Sequence, residues 1–382
     1  MAVIPMTKRP FPAFSNHRLR IAGLLALSVI WAVAAAPASA STIVVDGISD
    51  QSIPYWDSGF SSSFFAGFFK ANWVSSSHIR YARYVVQWNA TVEQCTHKPC
   101  YREEFEEWLN DVASMGLTTD VGLTSYTGRF NSGVSEYKER LKEILSLAEA
   151  LKHPISYVEA WNEPNNQGKL SPERAAELTN AASSACEAAA SKCKVVAGDF
   201  EDSRGVKGQE EKYRKHLSPV PSIWGLHPYY TVETMSESHY EEALQGLPSK
   251  GKGDQVWITE VAARECTPTT EIQETNTERG ETYQALRAEW LVNTLIKNKK
   301  PEHVFYYEFL LNGHRQPSCG EFDDALYVPS GDPNAEDRPH AAASYVFDDE
   351  GTSYGPDRTF AAANSPLLGI GALWGAITTV IE

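Results

Sequence analysis

The sequence predicts a single-domain α/β fold, a (β/α)8 barrel of the TIM type with a C-terminal tail, and three observations carry that expectation. Eight short apolar, β-branched or aromatic runs recur along the chain, amphipathic helical stretches lie between them, and the series occupies about 300 residues, the size and period of such a barrel. A doubly wound open sheet is the competing arrangement. It calls for a glycine-rich phosphate turn after the first strand, and Val45-Asp46-Gly47 is not one. Of the 382 residues, 42% are apolar and 22% charged, which excludes disorder, collagen-like repeats and a polytopic membrane protein.

Residues 1–40 stand apart from the barrel. Lys8, Arg9, Arg18 and Arg20 precede an apolar run from Ile21 to Ala36 and then Ala38-Ser39-Ala40, the small-x-small pattern of a secretory signal peptide cleaved after Ala40. The apolar run, about 16 residues, is short for a membrane span of roughly 20. The expectation is an extracellular protein with no stable membrane insertion. Losing four basic residues and no acidic ones takes the formal charge from −15 to −19. That acidity excludes nucleic acid as a partner, because phosphates need clustered Lys and Arg, and it favours neutral over acidic substrates.

Strands are expected at 42–47, 78–88, 117–124, 155–161, 194–200, 222–229, 255–261 and 303–310, each a run suited to burial on both faces of a parallel sheet. Helices are expected at 101–115, 136–151, 171–190 and 281–297, where apolar residues recur every three or four positions. Ser171-Pro172 supplies an N-cap followed by proline in the first turn. Met115-Gly116-Leu117 reads as helix, glycine cap and strand. The barrel is expected to end near residue 347. The remainder, 348–382, is apolar near its end but broken by glycines, and is expected to pack on the barrel with no assigned function.

Six cysteines lie beyond residue 40, in a chain whose export would permit disulfides. Sequence alone allows 15 connectivities. Spacing suggests Cys95–Cys100, Cys186–Cys193 and, by remainder, Cys266–Cys319. None shows the doubled C-x-x-C spacing of a zinc site.

In a parallel barrel the active site lies at the C-terminal ends of the strands. The fourth strand runs into Asn162-Glu163-Pro164, and the seventh ends Ile258-Thr259-Glu260. Two carboxylates converging on one bond are what glycoside hydrolysis requires: one protonates the leaving oxygen, the other attacks the anomeric carbon or activates water. Arg83 lies on the second strand, and His227-Pro228-Tyr229 closes the sixth.

These elements, in this order and on these strands, resemble the signature of the clan A retaining glycoside hydrolases over roughly residues 42–347. The resemblance implies Glu163 as general acid/base and Glu260 as nucleophile. It also implies Asn162 on the sugar 2-hydroxyl, Tyr229 bonded to Glu260, Arg83 beneath it, and His227 on the substrate or orienting Glu163. The two carboxyls would then differ in proton affinity, one protonated and one charged, with activity highest below neutrality. One departure concerns the eighth strand, which the family usually ends in tryptophan. Here Tyr306-Tyr307-Glu308-Phe309 stands there, so Tyr307 or Phe309 would replace the ring, or Glu308 would bond a sugar hydroxyl.

Trp88, Trp161, Trp224 and Tyr230 lie near strand ends, where sugar faces stack on aromatic rings; Trp88 and Trp161 are the preferred candidates, and Tyr126 after the third strand is a further one. Glu159 inside the fourth strand reads as an ion-paired packing residue. The function expected is hydrolysis of β-linked glycans by double displacement, acting as a monomer on a neutral oligo- or polysaccharide, without metal or organic cofactor. A barrel that binds carbohydrate without cleaving it, a transglycosylase using the same residues, and an inverting hydrolase are the alternatives.

Overall fold

The computed structural model describes residues 45–50, 79–92, 100–126, 130–166, 170–248, 254–264, 278–307, 327–328 and 338–339. By its contacts the chain forms two units, Met1–Ser41 and Thr42–Glu382; the first lies outside the described residues, as do 348–382. Among the described residues no helix is long and apolar enough to cross a membrane.

Eight parallel strands close into a barrel: β1 Gly47–Ser49, β2 Tyr81–Gln87, β3 Thr118–Thr124, β4 Tyr157–Glu159, β5 Lys194–Glu201, β6 Ile223–His227, β7 Gln255–Val261 and β8 Val304–Tyr307. They pair in sequence order, with β8 returning to β1. Around them run α1 Tyr101–Met115, α2 Val134–Ala150, α3 Pro172–Ala188, α4 Val206–Lys215, α5 Tyr229–Thr234, α6 Ser238–Gly246 and α7 Glu278–Trp290. The last widens into a π-helical stretch, Leu291–Ile296. The (β/α)8 expectation therefore holds.

Local chemistry explains most boundaries. Ser171 accepts a hydrogen bond from the Arg174 N–H and Pro172 fills the first position of α3. Gly116 ends α1 at φ +71°, a left-handed cap, and Leu117 N–H bonds Val112 O across it. Of the first strand expected at 42–47, residues 42–44 lie outside the described residues, and the described strand is Gly47–Ser49. Just before it, the Asp46 carboxylate accepts from Val304 N–H and faces His303 Nδ1, anchoring the chain beside β8.

Inside the barrel, Tyr81, Tyr157, Trp257 and Phe305 form a layer of rings toward the N-terminal ends of the strands, closed by Val196 and Ile223. Two irregularities lie above it. β5 gains one residue on β6 between Gly198 and Phe200, and β7 gains one on β8 between Ile258 and Val261. A bulge re-aims side chains that strict alternation would send outward. These two bring Asp199 and Glu260 into the interior.

Cys186 and Cys193 form a disulfide, as spacing suggested. Cys100 is also disulfide-bonded, to a partner outside the described residues, where Cys95, Cys266 and Cys319 all lie.

Candidate active site

Arg83 organises the C-terminal half of the barrel interior. Its side chain is fully buried on β2 and spends its donors on four residues. Nε and Nη2 engage the Glu159 carboxylate at 2.6–2.9 Å. Nη1 bonds Ser49 Oγ at 3.0 Å and the Glu260 carboxylate, and Nη2 also bonds Asn162 Oδ1 at 2.7 Å. Glu159 is therefore the ion-paired residue its place in a strand suggested. Burial would raise its carboxyl, but Arg83's charge and hydrogen bonds prevail and hold it below the usual range.

Glu260 is buried at the end of β7 and accepts from Tyr229 Oη at 2.6 Å in addition to Arg83. Arg264 stacks over the Tyr229 ring, 4.6 Å from its centroid. Two donors thus fix the carboxylate from different sides.

Glu163 follows β4 with φ +44°, a left-handed conformation uncommon for a side chain with a Cβ. Its neighbours hold it there. Asn162 N–H bonds Leu123 O, Asn166 N–H bonds Glu163 O, and the Asn165 amide clips the turn to the backbone of Glu201 on β5. Glu163 Oε1 faces His227 Nδ1 at 3.0 Å, and Oε2 accepts from Asn166 Nδ2 at 3.1 Å. Burial works to raise this carboxyl, yet the bond and charge of His227, the Asn166 bond and the charge of Arg83 leave it lowered. The resemblance implied a protonated acid; in the free site His227 and the Asn166 amide instead lower this carboxyl's proton affinity.

The donor atoms of Glu163, His227 and Glu260 all lie within 4.8 Å of one another. A cation could span that spacing, but the Arg83 guanidinium on the same Glu260 carboxylate opposes a second positive charge there.

The structure thus brings Glu163, Glu260, Asn162, Arg83, His227 and Tyr229 together. It does not add the tryptophans. Trp88 and Trp161 are 7% and 3% exposed, both packed on Phe130 in the layer between strands and helices, and Trp224 is buried likewise. Near strand ends, a side chain pointing away from the barrel axis meets a helix, and these three do. Tyr126 and Tyr230, which follow β3 and β6, are 46% and 40% exposed. Tyr126 is fixed by stacking on Tyr101 and by its hydroxyl bond to Val85 O. Tyr307 ends β8 buried, while Glu308 and Phe309 lie outside the described residues.

Sequence reasoning missed Asn166, Glu201, Asp120 and Asp199. Glu201, at the end of β5, is pushed up to about 7 by burial and by the nearby charges of Glu163 and Asp202. The available signal was an acidic residue within an apolar strand run, as in Gly198-Asp199-Phe200.

Residues 131–316 match the sequence model of a family described as the glycosyl hydrolase catalytic core. No curated protein matches the chain in sequence. Among solved structures, the GH53 catalytic domain of Ignisphaera aggregans superposes with a TM-score of 0.55 at 12% identity, over 80% of this chain and 97% of that one. A monomeric beta-xylosidase from Caulobacter crescentus gives 0.54 at 11% identity, over 80% and 67%. A GH5 enzyme of Streptomyces cattleya in complex with Manb1-4GlcNAc gives 0.52 at 14% identity, over 74% and 76%. At these identities the superpositions establish the fold. Over 131–316 the chain is similar to a glycosyl hydrolase catalytic core, and that stretch is carried on a closed eight-stranded parallel barrel.

Proposed function

We propose that the protein is a secreted, retaining glycosidase of β-linked glycans, with Glu260 as nucleophile and Glu163 as general acid/base. One observation carries the mechanism: an oxygen of the Glu163 carboxyl lies within 4.8 Å of one of Glu260, a close approach that favours the shorter of the two known carboxyl spacings. Retaining enzymes hold their carboxyl groups about 5–5.5 Å apart, whereas inverting ones leave about 6.5–9.5 Å for an attacking water. Glu260, fixed by Arg83 and Tyr229, attacks the anomeric carbon. Glu163 gives its proton to the departing oxygen and then takes one from the water that releases the glycosyl-enzyme.

His227 and Asn166 stabilise the carboxylate that Glu163 becomes after proton donation. Asn162, its carbonyl oxygen held by Arg83, keeps its NH2 group to donate to a sugar hydroxyl. The exposed rings of Tyr126 and Tyr230 offer stacking surface for flanking sugars. The beta-xylosidase and Manb1-4GlcNAc named for two structural neighbours support the β-linked reading. The basic, apolar and small-residue order of 1–40 supports secretion.

The test is a panel of aryl β-glycosides and soluble glycans with wild type, Glu163→Ala and Glu260→Ala. Added azide is expected to yield a β-glycosyl azide with Glu163→Ala and an α-glycosyl azide with Glu260→Ala. Undiminished hydrolysis by either variant overturns the assignment.

A further inference from the structure

Three carboxyl groups lie beneath this pair and take no part in the reaction just described. Asp120 on β3, Glu159 on β4 and Asp199 on β5 are at most 1% exposed. Arg83 lies among them, and of the three it hydrogen-bonds Glu159. Glu159 is therefore the ionised member. Asp120 and Asp199 lie on β3 and β5, the two strands that flank Glu159's strand β4, and its negative charge acts on both. Among the described residues, no donor side chain reaches either oxygen of Asp120 or Oδ2 of Asp199; a bond from the Val121 backbone acts on Asp120. A carboxylate so placed would be a buried anion that Arg83, already bonded to Glu159, only partly compensates, a costly state for a side chain. A carboxylic acid in the same place needs only an acceptor, and Glu159 is that acceptor.

The chain makes room for this cluster. Asp199 occupies the β5 bulge at φ +53°. A Cβ on Gly225 would lie 2.0 Å from Asp199 Oδ1, and one on Gly122 would lie 2.6 Å from Glu159 Oε2. Thr259 Oγ1 donates to Asp199 Oδ1 at 2.7 Å, which leaves Oδ2 to carry the proton.

We propose that Asp120 and Asp199 are positioning residues held as neutral carboxylic acids, each donating a hydrogen bond to Glu159, so that Glu159 locks Arg83 beneath Glu260 and Asn162. Burial drives both aspartyl groups well above the usual carboxyl range; the negative charge of Glu159 adds to this, and Arg83 opposes it. The groups facing Asp120 are Arg83 from β2 and Tyr157 and Glu159 from β4. Those facing Asp199 are Glu159 from β4, His227 from β6, Thr259 from β7, Tyr213 from α4 and Arg83 across the barrel. The role rests on the glycosidase reading, since what is positioned is its nucleophile; the protonation state does not.

Infrared difference spectroscopy on protein labelled with 13C in its aspartates reads that state without substrate. At neutral pH, two protonated-carboxyl bands are expected, one lost in Asp120→Asn and the other in Asp199→Asn. Absence of such bands from the wild type overturns the proposal, and so does their survival in both variants. The asparagines still donate to Glu159, so kcat is expected to stay near wild type. Asp120→Ala and Asp199→Ala are expected to lower kcat about tenfold with little change in KM, the size of one hydrogen bond to a charged group. Equal loss in the Asn and Ala variants excludes the positioning role. If no glycoside is cleaved, the bands still decide the protonation state, and the functional reading fails separately.

Discussion

At the N-terminal ends of the strands Tyr81, Tyr157 and Trp257 fill the barrel with rings, and two positions along the same strands Arg83, Glu159 and Thr259 replace them. Strand alternation sends both sets inward, so geometry treats them alike. Their solvation differs. The ring layer is held chiefly by shape, with His303 at its edge as its ionisable neighbour. The layer above is stable only if its charges and protons balance: one guanidinium, two carboxylates bonded to it, and two further acids that must remain neutral. An active-site floor of this kind is conditional where the ring layer is not.

The largest expected effect separates the two layers directly. Phe305→Ala and Arg83→Met should each lower unfolding free energy by about 3–5 kcal/mol, the first by leaving a cavity, the second by leaving buried carboxylates unpaired. Their pH dependence should differ. Glu159 is held below its ordinary range, so its contribution to stability is present at neutral pH and lost as pH falls through its folded value. Removing Arg83 removes that contribution. The penalty for Arg83→Met should therefore shrink toward acid pH, while that for Phe305→Ala stays level. Denaturant unfolding across the acid range measures both, and parallel curves would break the contrast.

Two glycines sharpen it. A Cβ on Gly47 would press the Phe305 ring at 2.5 Å; one on Gly225 would meet Asp199 Oδ1 and, at 2.7 Å, Thr259 Oγ1. Either alanine variant should cost about 1–3 kcal/mol through overpacking. Once folded, Gly47→Ala should retain kcat, whereas Gly225→Ala should lose about tenfold by displacing Asp199. Equal kcat values for the two would show that the acid layer tolerates displacement.

Much of this was legible in the sequence, and the exceptions have physical reasons. β7 and α1 fall where expected, 255–261 and 101–115, because strands buried on both faces read as apolar runs and amphipathic helices as periodic ones. α4 carries only Val206, Glu210 and Tyr213 buried among its ten residues, too few for an apolar stripe. α5 begins at Tyr229, within the stretch read as strand, because the Asp202 carboxylate at the end of β5 accepts from Tyr230 and Thr231 N–H. A cap supplied from 28 residues away leaves no local mark. In the site, Glu163 and Glu260 carry recognisable neighbours. Asp120 and Asp199 do not, since their meaning depends on bulges and on which strand faces them.

Asn166→Ala should have the smallest effect and tests the upper edge of the polar layer. Its Nδ2 donates to Glu163 Oε2, which favours the charged carboxyl. Without that bond Glu163 holds its proton to higher pH. As general acid it must be protonated to act, so the alkaline limb of kcat/KM should move to higher pH. At the optimum, kcat/KM should change by less than about threefold, because His227 still bonds Oε1. Were the alkaline limb set instead by unfolding of the acid layer, the same variant would leave it in place, since Asn166 touches none of Asp120, Glu159 or Asp199. The pH–rate profile of this one variant therefore assigns the limb to the group above the barrel or to the layer within it.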